Sequence, residues 1–324
     1  MSFQRSIKSS CQIFSIDLQK QKKGSTKHKF MLKIRLSIFL LTAIVSIATA
    51  QDKPAYLLFK NNGKPAKYEK MIKDLAKSDM VFFGEYHTDP ISHWMQLEMS
   101  KSFFEIKGDK LFFGAEMFEN GNQLVLDEYL KGLYAEDKMI PEITQMWENY
   151  KTDYKPLLDF AKDKGLRFIA TNIPRRYASM INKKGIESLN ELSPEARAMI
   201  GPDLEKYFDP TVKAYADMAD MMGEHAPPNM LNIQTAQAAK DATMAHFSLK
   251  NFKSGDFLFH FEGSYHSNYE QGIIWWINKI QPGLTIKSVT TVSQTEWNEM
   301  TEDEKSTIAN YIIVVADNMT QTKR

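Results

Sequence analysis

The sequence predicts an α/β fold, a mostly parallel central sheet flanked by helices with an all-helical insertion. Three observations carry this. Several short apolar runs are unbroken rather than alternating, as strands covered on both faces require. Amphipathic helical stretches separate the early runs, which implies parallel strands joined by helices. Residues 175–250 then hold no strand signal, many Ala, Met, Lys and Glu, and punctuation at Gly185, Pro194, Gly201-Pro202 and Pro227-Pro228, so they form the helical insertion.

The first fifty residues stand apart from the fold. Residues 1–30 are basic and shapeless, an extension ahead of a sensible start at Met31. Met31–Arg35 is a short basic segment, Leu36–Ile47 an apolar core too short to span a bilayer, and Ala48-Thr49-Ala50 a small-residue cleavage site. Residues 31–50 thus predict a secretory signal peptide and a mature chain, 51–324, that starts at Gln51. The first fifty residues hold nine of the 41 Lys and Arg and one of the 40 Asp and Glu. The mature chain therefore carries 32 basic against 39 acidic groups, a net charge of −7. That balance argues against nucleic acid, whose binding relies on clustered basic side chains. The sole cysteine, Cys11, precedes the signal, so the mature chain has no disulfide, thiolate ligand or cysteine nucleophile. A periplasmic or secreted protein is expected.

The strands are expected at Ala55–Phe59, Met80–Phe83, Leu111–Phe113, Arg167–Ala170, Phe257–Phe261, Thr285–Val289 and Tyr311–Val315. Asp89-Pro90 is a helix start, a capping side chain followed by proline in the first turn. Ile91, Trp94, Met95 and Leu97 come next at helical spacing, which puts His93 off the apolar face and in solvent. A second helix, Lys155–Lys164, ends at Gly165.

Four of the strands end in chemically rich segments. Gly84-Glu85-Tyr86-His87 comes after the second, Gly114-Ala115-Glu116 after the third, Thr171-Asn172 with Arg175-Arg176 after the fourth, and Glu262 with Gly263-Ser264-Tyr265-His266 after the fifth. Ligands bind at the carboxyl ends of strands in open α/β sheets. The glycines are expected to turn the backbone tightly and aim His87 and His266 into a shared cleft with Glu85 and Glu116. Two chemistries fit such a set. Two neutral imidazoles and one or two of the carboxylates can hold a divalent metal with an open position for water. Without metal, Glu85, His87, Glu116 and His266 serve as acid and base. Each also has a structural explanation: His87 can cap the next helix, and Glu116 can pair with Arg175 or Arg176. His260, inside a strand, is expected to be a hydrogen-bonded core residue, and Tyr86 and Tyr265 to pack.

The insertion offers a second candidate. In AYADMADMMGEHAPP (214–228), Tyr215, Met218 and Met222 lie at helical spacing, with Met221 beside them and His225 at the end. A Met-lined groove with Tyr215 or His225 as iron ligand suits haem. Tyr86, Tyr265 and His246 are the next candidates; on the residues alone a plain core or oligomer contact is the favoured reading of the Met stripe. No Walker A loop, Gly-x-Gly-x-x-Gly, Gly-x-Ser-x-Gly or His-Glu-x-x-His occurs.

GEYHTDPISH, GAEMF, TNIPRR, AQAAKDATMA (236–245) and GSYH, in that order, resemble the ChaN-like haem-binding family. Its superfamily also holds Tiki-type metalloproteases and erythromycin esterases. The resemblance, over roughly residues 75–290, implies an α/β core with a helical insertion, haem as cofactor and a role in iron uptake. It further implies a homodimer or envelope transport proteins as partners. From the Tiki branch it implies a metal-dependent hydrolytic site at His87, Glu116 and His266, with Glu85 nearby, acting as a peptidase or esterase. The family's proteins are often lipid-anchored; no lipobox cysteine stands here at the cleavage site.

Overall fold

The structure, a computed structural model, describes residues 53–323; the extension and signal peptide expected at 1–50 lie outside the described residues. Seven strands form one sheet: β1 (Tyr56–Lys60), β2 (Met80–Glu85), β3 (Leu111–Glu119), β4 (Phe168–Asn172), β5 (Phe257–Gly263), β6 (Ile286–Ser293) and β7 (Tyr311–Val315). Their order is β1-β7-β6-β2-β5-β3-β4. Only β1 runs antiparallel, against β7; every other pairing is parallel.

Unbroken apolar strands bury both faces, as their composition requires. Val81, Phe83, Phe259 and Phe261 pack on one face, beneath α1 (Tyr68–Leu75), α2 (Pro90–Lys107), α3 (Gln123–Leu130) and α4 (Lys155–Lys164). Met80, Phe82 and Leu258 pack on the other, beneath α5 (Arg175–Lys184), α6 (Lys213–Met222), α7 (Met230–Asn251) and α8 (Ile273–Ile280). Helices α5 to α7, with short turns between them, form the expected insertion between β4 and β5. Asp89 caps α2, its carboxylate accepting from Ser92 N–H at 2.7 Å, and Gly165 ends α4 in the left-handed conformation.

The neighbours β2 and β5 send their chains apart. From β2 the chain enters α2 on one face; from β5 it enters α8 on the other. Two adjacent parallel strands that part in this way leave a crevice at their carboxyl ends, where such sheets take ligands. Gly84 sits opposite Glu262 and Glu85 opposite Gly263, so both Gly-x-x-His segments emerge there side by side.

Candidate functional site

The strands run further than the apolar runs suggested, so Glu85, Glu116 and Glu262 belong to β2, β3 and β5 rather than to the loops after them. The two glycines also act differently from expectation. Neither has a positive φ; each makes room instead. A Cβ on Gly84 would lie 2.7 Å from the Cα of Ser264. A Cβ on Gly263 would lie 2.7 Å from Cε1 and 2.8 Å from Nε2 of His87, and 3.5 Å from Oε2 of Glu116. Close approach of two strand ends, not a tight turn, is what the missing side chains permit.

Glu85 is buried and saturated. Tyr154 O–H donates to Oε1 at 2.6 Å, Gln96 Nε2 to Oε2 at 2.5 Å, and Nδ1 of His87 lies 2.9 Å from Oε1. With that bond made by Nδ1–H, the Nε2 lone pair of His87 faces the Gly263 side. The His87 side chain is 26% exposed and meets Trp147 edge-on at 4.9 Å.

Glu116 lies across from it. Oε2 accepts from Gly263 N–H at 2.8 Å, and Oε1 lies 3.4 Å from Nε2 of His266. Burial alone would raise the carboxyl, but His266, His87 and the Gly263 N–H outweigh it and hold Glu116 far below the usual carboxylate range. His266 is buried too, with Nδ1 2.5 Å from Oδ1 of Asp241. Burial opposes its charge, yet Glu116 and Asp241 together push it up to about 10. The result is an imidazolium between two carboxylates. Asp241 in turn accepts from Tyr215 O–H at 2.9 Å, and Tyr215 accepts from Trp276 Nε1–H at 2.7 Å.

The structure thus brings Glu85, His87, Glu116 and His266 to one crevice. The metal expectation for His87, Glu116 and His266 meets a different arrangement. Among the described residues no cluster of three or more His, Cys, Asp or Glu side chains is disposed to hold an ion. His266 directs both ring nitrogens at carboxylates, Nδ1 at Asp241 and Nε2 at Glu116.

Three residues lie in surroundings that the sequence did not suggest. His93 is buried, not solvent-exposed: Nε2 bonds His87 O at 3.1 Å and lies 3.3 Å from Asp153, while Nδ1 bonds Gln96 at 3.2 Å. Trp94, placed on the inner face by its apolarity, is 46% exposed instead. Helix α2 turns a polar edge, Ser92, His93, Gln96 and Ser100, to the interior because Glu85 and its neighbours need partners there. Tyr215 is no open haem ligand; its ring is wholly buried and its hydroxyl is held by Asp241 and Trp276. Of the haem candidates in the insertion, His225 lies exposed in a turn after α6.

His260 is the hydrogen-bonded core residue its place in a strand suggests. Thr171 donates its hydroxyl to Ala115 O and so accepts from Nε2–H of His260 at 2.8 Å. Burial pulls this imidazole down to about 3 and pushes Glu262 well above the usual carboxylate range. A protonated Glu262 then donates to Nδ1, 2.7 Å away, and the pair is neutral. Tyr86 meets Ser293 N–H through its hydroxyl, and Tyr265 bonds Ala214 O, so both are structural. His246 packs edge-on against Phe247.

A cavity of about 490 Å³ opens beside Glu116. Trp147, Asn172, Arg175, Gln237 and Lys240 line it, and Gln237 also approaches both ring nitrogens of His266 at 3.3 and 3.5 Å. Its size suits a small-molecule ligand. Asp241, Tyr154 and Trp147 went unnoticed in the sequence. Asp241 alone carried a signal, an acid at a position facing the interior of an alanine-rich helix.

The fold has relatives among solved structures. It is similar to ChaN of Campylobacter jejuni, solved with cofacial haem: the TM-score is 0.59 at 17% identity, over 82% of this chain and 98% of that one. An erythromycin esterase in its open conformation matches at a TM-score of 0.46 and 9% identity, over 83% and 99%. No curated protein matches the sequence. The sequence profile described as haem-binding uptake, Tiki superfamily, ChaN matches residues 71–277, a stretch that holds β2 to β5, the whole helical insertion and both Gly-x-x-His segments. This chain therefore belongs to the ChaN family of the Tiki superfamily.

Proposed function

We propose that this protein binds haem in the bacterial envelope and serves haem or iron uptake, with a second copy of itself or an envelope transport protein as partner. Family membership carries the proposal. The tip of the insertion supports it: Met221 is 79% exposed, Met222 40% and Leu231 55%, with His225 among them in sequence. An exposed thioether and aliphatic surface beside an accessible imidazole suits a flat apolar macrocycle whose iron needs one nitrogen ligand. His225 would hold the iron, and the Met side chains would cover the ring. Bound haem supplies an iron centre and a strong absorbance. The cavity beside Glu116 has neither His nor Tyr in its lining, so it offers iron no such ligand. The test is a haem titration of the mature chain, 51–324, monitored by its Soret band, beside fractionation and N-terminal sequencing of the protein made from the full gene. A flat titration, or a protein that stays cytoplasmic with residues 31–50 attached, overturns the proposal.

One observation favours a second activity at the crevice, hydrolysis of an ester or amide. The Glu85–His87 pair puts an imidazole lone pair on the Gly263 side, towards an ionised Glu116 that also lines a ligand-sized cavity. In such a step His87 takes a proton from water as the water attacks the carbonyl carbon, and returns it to the leaving group. Glu85 orients the ring, and the charged His266 fixes Glu116.

A further inference from the structure

The cavity beside Glu116 has an electrostatic feature that neither haem binding nor hydrolysis uses. Two cations line it, Arg175 at the start of α5 and Lys240 in the middle of α7. Each bonds only a neutral amide: Arg175 donates to Gln145 Oε1 at 3.2 Å, and Lys240 to Gln237 Oε1 at 3.3 Å. Among the described residues neither has a carboxylate partner, whereas Lys155, Arg167, Arg197, Lys213 and Lys287 all do. The two acids in the lining are engaged elsewhere. Glu116 is matched by His266, and Glu119 accepts from the backbone N–H of Arg175 at 3.0 Å, at the positive end of the α5 dipole. The amino end of that helix is thus already satisfied. Glu119 feels the charges of Arg175 and Arg176 without forming a direct ion pair with either, and among the described residues neither Arg175 nor Lys240 is in contact with a carboxylate at the ligand space.

The rest of the wall combines amides and the hydroxyls of Thr144 and Ser179 with an apolar part. Ile173, Ala178, Met218 and Ile233 contribute to it. Unpaired cations beside an aliphatic surface recognise an organic acid, through charge-assisted hydrogen bonds at one end and burial of carbon at the other. We propose that this cavity is a binding site for a small organic carboxylate, its acid group taken by Arg175 and Lys240 and its apolar part lying on Ile173, Met218 and Ile233. The guanidinium fork fits the planar acid group through paired N–H bonds, and Lys240 adds a point charge. The site stands whether or not the crevice hydrolyses anything. If it does, the scissile bond lies at the Glu116 end of an acid-bearing substrate.

Isothermal calorimetry of the mature chain tests this with hexanoate, hexylamine, inorganic phosphate and haem as probes. Hexanoate should bind, and hexylamine, with the same tail and the opposite charge, should not. Arg175→Gln and Lys240→Gln should each weaken hexanoate on the order of tenfold or more, the effect of losing a hydrogen bond to a charged group. Arg176→Gln, outside the cavity lining, should leave it unchanged. Unaltered thermal unfolding midpoints show that the variants fold. Haem separates two sources of the carboxylate. Haem affinity that falls in both cavity variants assigns the site to its propionates; haem affinity that holds while hexanoate affinity falls assigns it to a free acid. Three results overturn the proposal: no hexanoate binding, equal binding of hexanoate and hexylamine, or hexanoate affinity unmoved by both variants. Phosphate that displaces hexanoate at equal concentration overturns the choice of carboxylate.

Discussion

Nδ1 of His266 lies 2.5 Å from Oδ1 of Asp241, a bond between the loop after β5 and the buried middle of α7. It ties the helical insertion to the sheet at the crevice. Because Glu116 takes the other ring nitrogen, the bond holds a positive charge inside the protein. An ion pair in that position is strongly destabilising to break, since removing one partner strands the other's charge.

The pH dependence of stability arises from buried groups with opposite shifts, His266 and His260 among them. His266 is raised to about 10 from an ordinary 6.5, so the folded state holds a proton that the unfolded state loses. Its contribution is complete below pH 6.5 and disappears as pH rises toward 10. His260 is lowered to about 3, so the unfolded state binds the extra proton, and stability falls as pH drops below 6.5. Glu262, raised well above its ordinary 4.5, loses stability as pH rises above 4.5 and so offsets His260 up to pH 6.5. Urea denaturation should therefore show a broad maximum between about pH 4.5 and 6.5 and a fall on the alkaline side. Asp241→Asn, which removes the partner of His266, should lower the peak by about 3 kcal/mol and flatten the alkaline limb. An alkaline limb identical in the variant would show that the pair does not titrate as described.

The two glycines should fail differently. Gly84→Ala places a Cβ 2.7 Å from backbone, the Cα of Ser264, so β2 and the loop after β5 must part. Overpacking of this kind costs about 1–3 kcal/mol. Gly263→Ala meets the His87 ring instead, a partly exposed side chain that can swing away from Glu85. It should cost less stability but displace His87, visible as a shifted imidazole resonance by NMR. Equal losses with an unmoved His87 signal would contradict the packing at Gly263.

Strands β2 to β5 and β7 were legible in the sequence because strands buried on both faces read as unbroken apolar runs. Strand β1, an antiparallel edge strand, and β6, interrupted by Lys287 and Ser288, carried a weaker form of the same signal. The crevice was legible for the same reason, since its polar residues interrupt or end those runs. The polar interior was not. His93 was placed in solvent because Ile91 and Trp94 looked like the inner face, yet α2 buries Ser92, His93, Gln96 and Ser100 to supply partners for Glu85. Nothing local marks that choice; it is set by a carboxylate eleven residues from Gln96 on another element. The surroundings of Tyr215 were hidden likewise. Its spacing with Met218 describes a helix face but not what covers it, and Asp241 and Trp276 do.

If the crevice is hydrolytic, His87→Ala and Glu116→Gln should each slow turnover of a nitrophenyl ester by roughly 100-fold or more, the usual worth of a placed acid or base. His246→Ala, on α7 and packed on Phe247, should not. Rates measured after several metal ions are added to chelator-treated protein show whether an ion joins the site. Wild-type rates in both crevice variants would end the hydrolytic proposal.

The haem proposal rests on where a macrocycle can reach. Tyr215 belongs to the interior, so Tyr215→Phe should leave the Soret band of the haem-loaded protein unchanged. It should cost about 1–3 kcal/mol in urea denaturation, because Asp241 loses a donor and Trp276 an acceptor. His225 has the opposite profile. It sits in an exposed turn beside Met221 and Met222, so His225→Ala should leave stability within about 0.5 kcal/mol of wild type while shifting or abolishing the Soret band. The two variants together separate ligand from scaffold. A band lost in Tyr215→Phe and kept in His225→Ala would place the iron inside the insertion and require α6 to move off Asp241 and Trp276. A band unchanged in both would take the iron off residues 214–228 altogether.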